Sequence, residues 1–127
     1  MKSGTFLAVD IGASSGRHVL GWVEDGRIQT QEIHRFPNRL VRRNGRLCWD
    51  LDGLYEQVVE GLRKCAALGR IPDSMGVDTW AVDFCLLDAD GEMLGEAVSY
   101  RDGRTAGIQP EVFVRIPARE LYARTGI

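Results

Sequence analysis

The sequence predicts an α/β fold, a mixed sheet with flanking helices. Three observations carry this. Residues 5–11 and 17–24 are β-prone runs on either side of a turn of small residues. Glu24-Asp25-Gly26 is a hairpin signal leading into a third run, residues 27–36. Apolar residues at helical spacing then extend from Leu51 to Ala66 and are followed by a strand pattern at 74–79, so a helix crosses from one strand to another.

In order along the chain, the first strand is apolar from Phe6 to Ile11 except for Asp10. An acid at the end of a buried strand is costly unless it finds a partner. The turn after it holds Gly12, Ala13, Ser14, Ser15 and Gly16, with Arg17 at its exit. Such a turn lets a ligand approach its N–H groups, which together form an anion nest. One acid for a metal, several N–H groups, two hydroxyls and a cation suit a magnesium-bound nucleoside triphosphate. A tight hairpin with an incidental acid fits the same residues, and both readings stay open at this point. The turn is neither a Walker A loop, since Gly-Lys-Ser/Thr is absent, nor a dinucleotide fingerprint, since a strand follows it.

The third run does not alternate cleanly between apolar and polar residues, which suggests a sheet edge. His34 and His18 read as surface or packing residues. Pro37-Asn38-Arg39 ends the strand. Arg39, Arg42, Arg43 and Arg46 surround Asn44-Gly45, as a solvated hairpin tip or an anion site, with the tip favoured. Residues 47–49 return as a short strand. Asp50 is a helix N-cap with Asp52 in the first turn. Leu51, Leu54, Tyr55, Val58, Val59, Leu62, Cys65 and Ala66 form the apolar stripe of a core helix, and Gly69 ends it. Strands are expected at 74–79, 84–87 and 93–98, with a Gly91 turn between the last two. Residues 108–114 form a short element containing Pro110, and a helix is expected at 117–124.

Sixteen Lys and Arg against eighteen Asp and Glu leave a net charge of −2, which gives no electrostatic case for nucleic acid or an anionic membrane. No apolar run reaches the roughly 20 residues of a membrane span. Met1-Lys-Ser-Gly-Thr lacks the apolar stretch of a secretory leader, so a cytoplasmic location is expected. Three cysteines without CxxC spacing argue against zinc, and Cys65 and Cys85 are expected to be small buried thiols.

A second chemical cluster lies at the end of the 74–79 strand. Asp78, Trp80 and Asp83 combine acids that accept from hydroxyls with an indole face suited to a sugar. A loop with a packed tryptophan and two solvated acids fits equally well.

Asp10-Ile-Gly-Ala-Ser-Ser-Gly-Arg17 resembles the first phosphate motif of the FGGY carbohydrate kinases. Glu32-Ile-His-Arg-Phe36, Gly76-Val-Asp-Thr-Trp-Ala-Val-Asp-Phe84 and Tyr100-Arg-Asp-Gly-Arg-Thr105 agree with that family in order and spacing, most closely with its branch that phosphorylates L-rhamnulose. The resemblance implies a ribonuclease-H-like fold of the actin, Hsp70 and sugar-kinase type. It also implies that residues 1–127 are the N-terminal part of the first domain, a truncated portion of one lobe.

Further implications concern ligands. Asp10 would hold magnesium through water, and Gly12, Ala13, Ser14, Ser15, Gly16 and Arg17 would contact ATP. Trp80, Ala81 and Asp83 would contact a ketose, with L-rhamnulose expected and xylulose or fuculose as alternatives. Ala81 stands where the most similar members have glycine and glycerol kinases have arginine, which argues against glycerol. Tyr100 to Thr105 would mainly brace the lobe, with Arg101 and Asp102 paired to each other or to the sugar segment. The catalytic base, adenosine pocket and second phosphate motif belong to later segments, so no catalytic residue is expected here. The chain alone is then expected to be inactive, to pack on the remainder of the kinase and to self-associate. A non-catalytic actin-like nucleotide-binding module is the alternative from another class.

Overall fold

The structure is a computed structural model that describes residues 4–127. Met1, Lys2 and Ser3, part of the stretch read above for a leader, lie outside the described residues. Strands β1 (Thr5–Ile11), β2 (Ser15–Glu24) and β3 (Arg27–Pro37) come first. The hairpin β4 (Leu40–Arg43) and β5 (Arg46–Trp49) precedes helix α1 (Leu51–Ala67), and β6 (Ser74–Thr79) follows it. A short 3₁₀ turn at Gly103–Thr105 and helices α2 (Gln109–Arg115) and α3 (Ala118–Thr125) complete the chain.

The main sheet has the order β3-β2-β1-β6. Strand β1 is antiparallel to β2 and parallel to β6, so the sheet is mixed as expected. Strand β3 lies at one edge, and its irregular alternation has a local cause. His18 pairs with His34 while Val19 pairs with Glu32, so Ile33 is an extra residue and the register shifts there. Both hairpin tips use left-handed pairs, Asp25-Gly26 at φ 50° and 73° and Asn44-Gly45 at φ 50° and 76°. This is the chemistry of a type I′ turn, which matches the twist of the strands it joins.

The core lies between one face of the sheet and α1. Leu7, Val9, Ile11, Leu20 and Phe36 meet Leu54 and Cys65, with Leu51, Val58 and Leu62 packed around them. Burial pushes the Cys65 thiol pKa up. Asp50 caps α1 by accepting from the Gly53 N–H at 3.3 Å. Gly69, at φ 66°, closes the helix, with its N–H on the Ala66 carbonyl at 2.9 Å and the Arg70 N–H on Cys65 at 3.0 Å. That pair of bonds is a Schellman closure. Two helix residues depart from the sequence reading: Tyr55 and Ala66 point to solvent.

The expected strands at 84–87 and 93–98 do not form. They are reduced to two isolated bridges, Leu87 with Met93 between the two runs and Val98 with Cys48 of β5. A two-stranded ribbon open on both faces gains too little burial to order fully, and residues 84–95 are exposed throughout. Cys85 is exposed there, against expectation, whereas Cys48 and Cys65 are buried. Gly91 does take the turn, at φ 86°. Among the described residues no helix is long and apolar enough to cross a membrane.

His18 is a polar residue buried among these core side chains. It is fully buried on β2, against Gly61 of α1, where an added Cβ would overlap the imidazole. Its Nε2 lies 3.2 Å from the Val58 carbonyl, and Nδ1 has no partner. His34 and Phe36 of β3 stand beside it, with centroids at 5.6 and 5.9 Å. His34 in turn reaches Gln57 at 2.8 Å and Lys64 at 2.8 Å, both on α1. Both histidines are packing residues. Desolvation lowers the His18 pKa from its ordinary 6.5, the Val58 carbonyl opposes this, and His34 and Lys64 add to the lowering. The unfolded chain then binds a proton that the folded chain resists, so stability is present above the unfolded value and is lost as pH falls through it. Thermal unfolding followed from about pH 7.5 to about pH 5.5 should show a falling midpoint, and the slope should flatten in His18→Gln. An unchanged slope in that variant would assign the acid sensitivity elsewhere.

Candidate functional site

The parity of β1 puts Leu7, Val9 and Ile11 in the core and sends Phe6, Ala8 and Asp10 to the opposite face. That face is an open trough lined by Phe6, Ala8, Val19, Gly21 and Gly76, with Asp10 and Asp78 among its lining residues. Asp10 and Asp78 are register partners on the parallel pair β1 and β6. Asp10 does not stand alone: cross-strand Arg17 donates from Nε at 3.0 Å and lies 2.9 Å away through its terminal nitrogen. The pair is half exposed and sits beside the turn.

The turn itself spans residues 12–14. The Gly12 N–H donates to the Ser15 carbonyl at 2.9 Å, and an added Cβ on Gly12 would crowd that carbonyl at 3.2 Å. Ser14 and Ser15 are exposed and Ala13 is half buried. Gly16 has a different reason for being glycine. It is buried in β2 opposite Ile11 and Phe36, and an added Cβ would overlap the Phe36 ring. Packing against Phe36 is thus a reason for glycine at position 16 independent of any ligand.

Asn38 was read only as a strand breaker, yet it fixes the turn. Its backbone N–H donates to the Ser14 carbonyl at 3.0 Å, and its side-chain amide donates to the Gly12 carbonyl at 3.0 Å. Its Oδ1 is buried without a partner. An asparagine just after a strand-ending proline was the available signal, but the contact spans 26 positions.

The second cluster leaves the end of β6. Thr79 is in register with Ile11, so residues 12–14 and 80–83 depart side by side from the carboxyl ends of neighbouring parallel strands. Trp80 packs on the core cluster. Its Nε1–H donates to Asp83 Oδ2 at 3.2 Å, and Trp49 Nε1–H donates to the same oxygen at 2.6 Å. Trp49 ends β5 and was read only as part of a short strand. Ala81 is exposed at the tip of the segment.

The arginine hairpin is bound to carboxylates rather than free for an anion at two of its four positions. Arg43 lies 3.3 Å from Glu96, 3.8 Å from Asp50 and 3.9 Å from Asp52. Arg46 reaches Asp102 at 3.5 Å. Asp102 braces the lobe as expected. It accepts the Leu47 N–H at 2.8 Å and the Arg104 N–H at 3.0 Å. The Leu47 N–H holds its carboxyl below the usual range, with the Arg104 N–H and Arg46 adding to the effect. Arg101 does not pair with Asp102; its guanidinium lies over the Tyr100 ring, 5.4 Å from the centroid.

Among the described residues no group of three or more His, Cys, Asp or Glu could hold a metal by itself. Magnesium needs less than that. It is commonly held by one or two carboxylates together with phosphates and water, and Asp10 beside the exposed turn fits such a site.

Residues 5–127 match the FGGY family of carbohydrate kinases, N-terminal domain. The chain is 50% identical over 121 residues to the rhamnulokinase of Oceanobacillus iheyensis, covering 95% of this chain and 26% of that protein. It is 52% identical over 121 residues to the rhamnulokinase of Halalkalibacterium halodurans, again 95% of this chain and 26% of that protein. The chain thus spans about a quarter of the length of these curated relatives. Among solved structures, a gluconate kinase from Lactobacillus acidophilus superposes with a TM-score of 0.75 at 18% identity, over 99% of this chain and 25% of that one. A ligand-bound xylulose kinase from the same organism gives 0.67 at 16% identity, over 94% and 24%. These superpositions show the fold, which is the ribonuclease-H-like type expected above.

The packing account of Gly16 has a direct check. Gly16→Ala should lose about 1–3 kcal/mol of stability in denaturant unfolding. Phe36→Leu in that background should restore part of the loss, since neighbouring substitutions of this kind are not additive. Losses that simply add would remove the Phe36 ring as the reason.

Proposed function

We propose, from the premise that this chain belongs to the FGGY family of carbohydrate kinases, that it is the N-terminal portion of an ATP-dependent kinase acting on a ketose, L-rhamnulose. The product is L-rhamnulose 1-phosphate. The carrying observation is the parallel pairing of β1 and β6, which sets the small-residue turn and the Trp80 segment next to one another. Ligands of open α/β sheets collect outside the carboxyl ends of parallel strands, so two ligands bound by these two segments would meet there. Identities of 50% and 52% to proteins named rhamnulokinase support the choice of sugar.

In this reading Asp10 holds magnesium through water, with Arg17 keeping its carboxylate aimed along the trough. Gly12, Ala13, Ser14, Ser15 and Gly16 contact the triphosphate, together with Arg17. Magnesium, when bound, neutralises charge on the phosphates. Trp80 offers an indole face to the carbon side of the sugar, Ala81 lets the sugar approach backbone, and Asp83 completes the pocket. The base that takes the proton from the attacking hydroxyl is assigned to a part of the kinase beyond these residues, as is the adenosine pocket. The 127-residue chain by itself is therefore expected to be inert. Phe6 on the trough and Met75 and Val77 on β6 are exposed apolar residues that would pack on the remainder of the kinase, or on a second copy of the chain in its absence.

The test is a phosphorylation assay on the full-length gene product with ATP, magnesium and L-rhamnulose, L-fuculose, D-xylulose and glycerol, run beside the 127-residue chain. L-rhamnulose should give the highest kcat/KM, and the short chain should be inert. Asp10→Ala should lower kcat by about a hundredfold or more with an unchanged circular dichroism spectrum. Preference for another sugar would overturn the substrate, turnover by the short chain would overturn the division of labour, and a fully active Asp10→Ala would overturn the metal role.

A further inference from the structure

Behind the exposed tip of the Trp80 segment lies a contact made by a single oxygen. Trp49 is 1% exposed, so its indole N–H has no access to water and needs a protein acceptor. Asp83 Oδ2 supplies it at 2.6 Å and accepts the Trp80 N–H at 3.2 Å as well. The two indole rings lie 4.4 Å apart at 47°. Tyr100 stands on another side of Trp49, with ring centroids 6.3 Å apart. Strand β5 is itself fixed, with the Trp49 N–H on the Ala97 carbonyl at 2.9 Å.

The backbone between Trp80 and Asp83, the residue that accepts its indole N–H, is strained. Val82 has φ 76°, a left-handed conformation that is sterically costly for a β-branched residue. Such a conformation persists only where the surroundings impose it. The Val82 side chain is 77% exposed and does not impose it by packing. The bonds that close the loop are those on Asp83.

We propose that Trp49 and Asp83 are positioning residues for the sugar-facing segment, acting through the shared Oδ2 acceptor to fix the Trp80 ring and the Ala81 backbone. This rests on the reading of residues 80–83 as the sugar segment. Trp49 is buried behind that segment and acts on the sugar only through Asp83 and Trp80. Asp83 acts chiefly by holding the two indoles, and less by offering its own carboxylate to the sugar.

Three variants of the full-length gene product separate this from direct sugar contact and from simple packing. Trp49→Phe keeps a buried ring and removes the N–H. Asp83→Asn keeps one oxygen able to accept from both indoles, and Asp83→Ala keeps none. Positioning predicts that Trp49→Phe and Asp83→Ala each raise KM for the sugar about tenfold, with KM for ATP changed less than about twofold. Asp83→Asn should recover most of the Asp83→Ala loss. Unfolding midpoints of all three, measured in parallel, identify any variant whose loss is one of folded protein, and the Asp83→Asn against Asp83→Ala comparison then decides. A normal sugar KM in Trp49→Phe, or an Asp83→Asn as impaired as Asp83→Ala, would overturn the proposal and make Asp83 a direct sugar ligand. A wild-type protein that phosphorylates none of the sugars would instead fail the functional reading, and the positioning role would fall with it.

Discussion

The structure depends on the two-faced character of β1. Its odd-numbered side chains, Leu7, Val9 and Ile11, are held under α1, and this burial is the main force orienting the strand. A one-residue slip would drive Asp10 into the core and Leu7 and Val9 into water, so the register is strongly specified. Because the register is fixed, Asp10 must emerge on the opposite face, across from Arg17 on β2 and beside Asp78 on β6. Apolar packing on one face thus sets the geometry of charge on the other.

The same strand links the two candidate ligand segments. Antiparallel pairing to β2 requires a tight reversal, and that reversal is the small-residue turn. Parallel pairing to β6 requires a long crossover, which α1 provides. Both segments therefore start at one end of the sheet although nearly seventy residues separate them in the chain. Asp73 secures the other end, where it accepts the Thr5 N–H at 2.7 Å and returns a backbone bond of 2.7 Å. A crossover anchored at both ends leaves β6 little freedom to shift against β1.

What the sequence revealed was local, and what it concealed was mostly long-range. The first three strands, the helix caps and the turn at Gly91 follow from short patterns whose causes lie within a few residues. The start of β2 was placed two residues late because Ser15 and Gly16 look like loop and are strand only by virtue of Ile11 and Phe36 opposite them. Asn38 carried only the weak mark of following a proline, and Trp49 carried none; both work through partners at least 24 positions away. The strands expected at 84–87 and 93–98 failed for the complementary reason. Their composition suits a strand, but residues 84–95 are exposed while Ala97 and Val98 at the end of the second run are covered, against β5, and side-chain pattern alone does not order a ribbon. Gly16 has a long-range reason that its neighbours in sequence do not display, since the Phe36 ring opposite it demands the absence of a Cβ.

A comparison of magnitudes indicates why the Trp80 segment can hold a costly backbone turn. A left-handed β-branched residue costs about 1–3 kcal/mol. A hydrogen bond to a charged group contributes about 1.5–3 kcal/mol, and Asp83 accepts two. Asp83 is partly exposed, which reduces both the strength of those bonds and the cost of placing a carboxylate there. The two terms are then comparable, and the turn is held without a large surplus. The cost of leaving the Trp49 N–H unpaired shifts the balance, because that donor is buried whether or not the acceptor is present. The segment is thus held from the interior side, by a donor that has nowhere else to go, while its exposed tip at Ala81 remains clear of protein side chains that a ligand would have to displace.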